Sequence, residues 1–247
     1  AVASGEAFNY EFVLPDAGTY WYHPHVATYE QVGRGLYGPI IVDEVEPVDI
    51  DQDLLLVISD VLLNQQAQIV ESFQSLHDAA HAGRLGNALL VNGTRPPFKQ
   101  ALRPGARIRL RVINASSARI YRLRFRGVQP LIVAIDGHPC QVTPASDSLY
   151  FSPGNRFDFI VDVPRESDLP IVLEDEFFPA MRKPLAQFVT DRSSPIRQRS
   201  TFIGLPPNPL MVADLKNAEK VNLTIEGGAL SAKATREAIW LLNGQGN

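Results

Sequence analysis

Charged and apolar side chains alternate strictly over residues 107–112. Arginine and aliphatic residues take turns over Arg107, Ile108, Arg109, Leu110, Arg111 and Val112, and residues 122–126 repeat the pattern. Side chains two positions apart lie on the same face of a β-strand, so this period predicts strands. Nineteen prolines and 17 glycines separate the short apolar runs, which is typical of a sandwich or barrel. The sequence therefore predicts an all-β chain built around a Greek-key β-sandwich.

Further strands are predicted along most of the chain. They cover residues 8–14, 19–23, 36–42, 54–60, 89–91, 131–135, 148–151, 156–163, 169–174, 221–226 and 238–244. Asn92-Gly93 is a hairpin-type turn signal. Residues 64–82 lack alternation and are expected to contain a helical turn. Six or seven strands between residues 54 and 190 would complete one sandwich, and residues 191–209, rich in Ser, Arg and Pro, are predicted to form a loop.

An acidic run at residues 43–53 is predicted to be a solvated link, since its spacing does not match a calcium loop. The arginines of residues 103–126 indicate half-exposed strands rather than a nucleic-acid surface, because Tyr121 offers little area for base stacking. A net charge of −4 also argues against a general polyanion binder. No apolar run is long enough to span a bilayer, and the single Cys140 excludes an internal disulfide. We therefore expect no nucleic acid and no membrane span.

Two histidines stand close together after an aromatic run. Residues 18–25 read Gly-Thr-Tyr-Trp-Tyr-His-Pro-His, and a second apolar run follows at residues 35–42. The pattern predicts a strand that ends in the two histidines, so His23 and His25 project from one face with Cα atoms roughly 6.5–7 Å apart. Each imidazole could then hold one of two neighbouring metal ions, and imidazole suits copper, zinc, iron and nickel alike. A pair at the edge of a strand without a metal is the alternative.

This string resembles the second His-x-His copper motif of the multicopper oxidases, the family of laccases and bacterial copper efflux oxidases. In that family the motif closes the first cupredoxin domain, and its histidines bind the two type 3 coppers of a trinuclear cluster. The resemblance implies that His23 and His25 are metal ligands, that copper is the cofactor, and that the sandwich is cupredoxin-like. It names no catalytic residue beyond the metal ligands.

The resemblance extends over nearly the whole chain. Residues 90–93, 102–105, 109–115, 135–137 and 153–158 are similar to the second domain of three-domain multicopper oxidases, and residues 240–244 to the entry of the third. It implies the end of domain 1 at residues 1–45, domain 2 at 46–190, and a linker with the first strands of domain 3 at 191–247. Because the chain begins at Ala1 without a signal-peptide pattern, we expect it to start within a longer protein.

Other possible ligands are weaker candidates. The family uses four His-x-His motifs and a type 1 copper loop with a cysteine followed by histidine and methionine, but no histidine follows Cys140. His138 and Cys140 are therefore interpreted as a turn residue and a small buried apolar residue. His77 and His81 have the spacing that clamps a metal on a helix, although without an obvious third ligand they are interpreted as part of a surface helix.

The resemblance implies part of an oxidoreductase that couples one-electron oxidation of a phenol or a metal ion to four-electron reduction of dioxygen to water. Its partners would be dioxygen, a small reducing substrate and the remainder of domains 1 and 3, in the periplasm or outside the cell. A non-catalytic cupredoxin-like module, for assembly or weak copper binding, is the alternative. A two-domain oxidase is disfavoured by residues 240–244. We expect the chain alone to be inactive, because it carries one His-x-His motif.

Overall fold

Strands dominate the computed structural model, which describes residues 2–166, 169–191, 193–195, 199–209, 213–233, 235 and 238–246. In chain order the strands and helices are β1 Gly18–Tyr22, α1 Thr28–Gly33, β2 Gly38–Val42, β3 Gln52–Val61, α2 Leu76–Ala80, β4 Ala88–Val91, β5 Phe98–Leu102, β6 Arg107–Asn114, β7 Tyr121–Arg126, β8 Leu131–Ile135, β9 His138–Pro144, β10 Leu149–Phe151, β11 Arg156–Asp162, β12 Ile171–Asp175, a 3-10 turn at Pro179–Met181, β13 Lys183–Thr190, β14 Ile225–Gly227, β15 Trp240–Leu242 and β16 Gln245–Gly246. The all-β prediction is confirmed.

Two sheets form the central sandwich. One has the strand order β4-β3-β6-β11-β8-β9 and the other β10-β7-β12-β13-β5. Neighbours are antiparallel except for the parallel pairs β3–β6 and β5–β13. Between the sheets lies one apolar core, with Leu56, Leu110, Tyr121, Phe159 and Leu173 all at 1% exposure or less. Its burial is the main source of stability for the fold.

Among the described residues the sandwich contains eleven strands rather than the predicted six or seven. Eight of them overlap runs predicted as strands, whereas β5, β9 and β13 were not predicted. Prolines within β9 and near the start of β13 weakened the sequence signal, since proline cannot donate to a strand ladder. The structure accommodates β9 at the end of its sheet, where the missing donor costs least. His138, interpreted as a turn residue, opens β9, so that interpretation was wrong.

The arginine face of β6 is buried, which contradicts the prediction of a half-exposed strand. Arg107, Arg109 and Arg111 are 2%, 1% and 1% exposed. They point away from the apolar core, and acidic side chains cover them. The pairs are Arg107 with Asp162 at 2.7 Å and Asp49 at 3.2 Å, Arg109 with Glu44 and Asp158 at 2.7 Å each, and Arg111 with Asp53 at 2.7 Å. Buried charges require such partners.

The acidic run is consequently only partly a solvated link. Asp43 and Glu46 are exposed, as predicted. Glu44, in contrast, has a side chain only 7% exposed against Arg109, and Asp51 and Asp49 bind Arg199. The prediction failed there because the arginines of β6 need counter-charges, and the acidic run supplies them.

The hairpin of β1 and β2 lies across this arginine face. The two strands are antiparallel, with Thr19 opposite Ile41 and Tyr22 opposite Gly38. Residues 8–14, predicted as a strand, form none in the structure, and Phe8, Tyr10, Phe12 and Val13 are 62–88% exposed. Alternation alone does not make a strand where no neighbouring strand supplies hydrogen bonds.

The last strands contact α2 rather than the sandwich. The Trp240 indole Nε1 donates to the Ala79 carbonyl at 2.8 Å, and the Ala229 amide donates to the Ala80 carbonyl at 3.0 Å. The predicted strand at 238–244 is present as β15, whereas part of the predicted loop at 191–209 lies outside the described residues. Across the part of the chain that the structure describes, no helix is long and apolar enough to cross a membrane.

Candidate metal centre

His23 and His25 lie immediately after β1, which ends at Tyr22. They do not continue the strand, so the same-face argument from strand geometry was wrong. The chain instead bends at residues 25–27. The two rings are stacked, with centroids 4.8 Å apart and planes inclined by 16°. The structure therefore brings together the two imidazoles that the sequence pattern predicted as ligands, although they lie outside the strand.

Aromatic packing and one backbone contact orient His23. Its ring lies 4.5 Å from that of Trp21, and its Nδ1 lies 3.1 Å from the Pro24 carbonyl oxygen. The Thr28 hydroxyl donates to the same carbonyl at 3.1 Å, which ties the bend to the start of α1. A hydrogen on Nδ1 donated to this carbonyl would leave the lone pair of Nε2 available to a metal ion.

The two imidazoles suit neighbouring ions better than a single shared ion. In-plane lone pairs on nearly parallel rings run side by side rather than converging on one point. Two-metal sites hold their ions about 3.5–4 Å apart, which is comparable with the ring separation of 4.8 Å. His23 is half-buried and His25 exposed. The donor set fits one copper ligand per ion, since imidazole is a good copper ligand.

One ligand per ion is an incomplete set. Among the described residues no group of three or more His, Cys, Asp or Glu side chains could hold a metal ion. Metal sites usually take three or four protein ligands. Any metal at His23 and His25 therefore needs further ligands from outside this part of the chain.

A groove of about 740 Å³ adjoins His23. It lies between α1 and the loop that carries α2, and Trp21, Tyr29 and Phe73 line it. Arg34 and Arg84 cover the Phe73 ring, with guanidinium carbons 4.6 and 4.1 Å from its centroid. These contacts bind the α2 loop to the segment directly after the histidines.

His77 and His81 belong to a surface helical turn, as predicted. No residue of α2 is buried, and His81 lies just beyond its end. The rings stack with centroids 4.2 Å apart, and His81 Nδ1 lies 2.8 Å from the His77 carbonyl oxygen. No third ligand joins them among the described residues.

His138 and Cys140 have separate surroundings. His138 lies edge-on to Tyr20, with ring centroids 6.5 Å apart, and its Nδ1 is 3.4 Å from the Asn208 amide nitrogen. Cys140 is a free thiol, half-buried against the core. Burial raises the pKa of its thiol above the ordinary value, which favours the neutral form over the thiolate that binds metals.

The polar cluster beneath β1 was not predicted from the sequence. Thr19 Oγ1 donates to Asp158 Oδ1 at 2.6 Å and accepts from Arg111 Nη1 at 2.9 Å. One signal was available: Asp158 interrupts the apolar run Phe157–Val161. A lone carboxylate in such a run is buried and must have partners.

Comparisons with known proteins match nearly the whole chain to multicopper oxidases. Two family models, both described as multicopper oxidase, match residues 1–47 and 52–178. The chain is 30% identical to an iron transport multicopper oxidase of Epichloe festucae over 65% of its length, and 31% identical to a laccase of Cryphonectria parasitica over 67%. A solved multi-copper oxidase from Pseudomonas thermotolerans aligns with a TM-score of 0.83 and 31% identity over 98% of this chain.

The relatives are longer than this chain. It covers 26% and 28% of the two curated relatives and 55% of the solved structure. The activity of those whole proteins therefore cannot be assigned to the described residues alone.

Proposed function

Because the chain belongs to the multicopper oxidase family, we propose that it is part of an oxidase in which His23 and His25 are ligands of the type 3 copper pair. The full-length enzyme removes single electrons from a reductant and delivers four electrons, with four protons, to dioxygen, which yields two water molecules. Bound copper would carry the electrons and bind the oxygen.

The paired, nearly parallel imidazoles are the observation that carries this proposal. Their rings are 4.8 Å apart, and His23 Nδ1 lies 3.1 Å from the Pro24 carbonyl oxygen, a contact that suits the Nδ1–H tautomer. The contribution of this chain is to present one nitrogen to each of two neighbouring ions and to hold those nitrogens in place. The remaining ligands would come from the rest of domains 1 and 3, with boundaries at residues 1–45, 46–190 and 191–247.

The reducing substrate in this proposal is a phenol or a metal ion. Two of the relatives have names that indicate such different donors, a laccase and an iron transport oxidase. The proposal also places the full-length enzyme in the periplasm or outside the cell, on family resemblance.

A non-catalytic module that binds copper weakly is the competing function. The observation in its favour is that no cluster of three ligands occurs among the described residues. Copper stoichiometry separates the two, because the full-length oxidase should hold four coppers and a bare module one or none.

His23→Ala and His25→Ala in the full-length enzyme test the assignment. Each variant should lose type 3 copper and oxygen reduction, while the blue absorption of the type 1 site persists. Removal of one metal ligand leaves an ion without the coordination it requires. His77→Ala is the matched control, an exposed histidine outside the site, and should retain both. The measurements are copper content, an absorption spectrum and oxygen uptake. Oxygen uptake at the parent rate in either variant would refute the assignment.

A further inference from the structure

A buried polar cluster connects the hairpin that leads to the histidines with the central sandwich. We define the Asp158 cluster by its five residues: Thr19 from β1, Glu44 just after β2, Arg109 and Arg111 from β6, and Asp158 from β11. Thr19, Arg109, Arg111 and Asp158 are at most 1% exposed. The strand β1 and the segment just after β2 thus both contribute to one buried site on the sandwich.

Each hydrogen-bonding group in the cluster is used. Arg109 donates to Asp158 Oδ2 from Nε at 3.0 Å and from Nη2 at 2.7 Å. Its Nη1 donates to both Glu44 carboxylate oxygens at 2.7 and 2.8 Å. No buried side-chain nitrogen or oxygen lacks a partner among the described residues. A buried network that is fully satisfied permits one arrangement, whereas a displaced one leaves charges unpaired.

Thr19 is the residue through which β1 joins the cluster. Its hydroxyl donates one hydrogen bond to Asp158 and accepts one from Arg111. Its carbonyl oxygen accepts from Arg156 Nε at 3.2 Å. A slip of β1 by one residue would move it about 3.3 Å and turn Thr19 to the opposite face. The hydroxyl therefore determines the register of β1 on the sandwich.

Close contacts on either side of Thr19 support the same register. A Cβ on Gly18 would lie 2.1 Å from the Gly137 carbonyl oxygen, so β1 approaches that loop more closely than a side chain allows. Farther along, a Cβ on Gly154 would lie 3.7 Å from the Trp21 ring, and Trp21 stacks on His23. Between the cluster and His23, the Tyr20 ring lies against Gly137 and the Trp21 ring near Gly154, whereas Tyr22 is exposed.

We propose that the Asp158 cluster, acting through the Thr19 hydroxyl, positions β1 so that His23 and His25 meet their metal ions. The inference rests on the proposed function of those two histidines. Ligand positions at a metal are set to within about 0.2 Å, which is far smaller than the displacement of a slipped strand. Thr19 is accordingly a positioning residue and touches no metal itself.

Thr19→Val in the full-length enzyme tests this role, because valine keeps the shape and removes the hydroxyl. Thr19→Ser is the conservative variant that retains it, and Thr143→Val is the control, since the Thr143 hydroxyl bonds only locally, to the Gln141 carbonyl at 3.0 Å. In copper-free protein, amide hydrogen exchange in Gly18–Tyr22 should be about fivefold faster or more in Thr19→Val. Copper affinity of the type 3 pair should fall about 10-fold, and serine should restore both.

The outcomes separate this inference from the proposed function. Unchanged exchange in Thr19→Val would overturn the role of the cluster in holding β1. Faster exchange with unchanged copper affinity would overturn positioning of the histidines. If His23→Ala bound copper as tightly as the parent, the proposed function would fail, and positioning for metal would fail with it, while the exchange measurement would still report how β1 is held.

Discussion

At the scale of single residues, the arginines of β6 are buried charges whose protonation depends on their acidic partners. Burial lowers the pKa of Arg111, but its hydrogen bonds to Asp53 and the charge of Asp158 outweigh that effect and raise the pKa above the ordinary value. The guanidinium therefore stays charged inside the protein. Its partners are needed to offset the cost of removing that charge from water.

Asp158→Ala should be strongly destabilising, because it removes the buried carboxylate that Arg109, Arg111 and Thr19 share and leaves the buried Arg109 Nε and Nη2 without an acceptor. We expect the free energy of unfolding to fall by about 3–5 kcal/mol, measured by urea denaturation. Asp43→Ala is the control, since Asp43 is exposed in the same acidic run, and should change the free energy of unfolding by about 0.5 kcal/mol or less. Equal losses in the two variants would contradict the importance assigned to the buried cluster.

At the scale of elements, the structure separates strands that find partners from runs that merely alternate. β1 pairs with β2 and lies on the sandwich, whereas residues 8–14 expose an apolar row. An extended apolar segment with unpaired backbone groups is a template for association with another chain.

The isolated chain should consequently self-associate through residues 8–14. Tyr10→Lys with Phe12→Lys should shift it toward monomer, because charge disfavours edge-to-edge pairing. Leu230→Lys is the control, a fully exposed apolar residue elsewhere, and should leave association unchanged. Sedimentation velocity is the measurement. A chain that is monomeric before any substitution would show that the segment is no association site.

At the scale of the whole molecule, the described residues hold a complete sandwich beside an incomplete metal centre. The two sheets enclose a continuous apolar core, and burial of that core stabilises the folded sandwich. The histidine pair lies just after β1, without further ligands among the described residues. Folding of the sandwich thus depends on the described residues, whereas metal binding depends on ligands beyond them.

The isolated chain should fold yet show no oxygen reduction, even with copper added. Four-electron reduction needs electrons from several metals, and one His-x-His motif cannot hold them. Copper analysis together with oxygen uptake is the measurement, and the full-length enzyme, which should be active, is the positive control. Four tightly bound coppers in the isolated chain would contradict this expectation.

Local pattern determined the all-β fold, most strand positions and the nomination of His23 and His25. Alternation and turn residues depend only on neighbouring positions in the sequence. A half-buried strand can therefore be predicted from its period of two without knowledge of the tertiary structure. The family resemblance likewise rested on short motifs, and the family models bear it out.

Only the tertiary structure decided which faces are buried and what meets across the chain. Arg109 and Glu44 are 65 residues apart in sequence, and Thr19 and Asp158 are 139 apart, so no local pattern encodes their contact. For the same reason the arginine face was predicted as half-exposed and residues 8–14 as a strand. Burial and pairing depend on what packs from elsewhere, and that information exists only once the chain has folded.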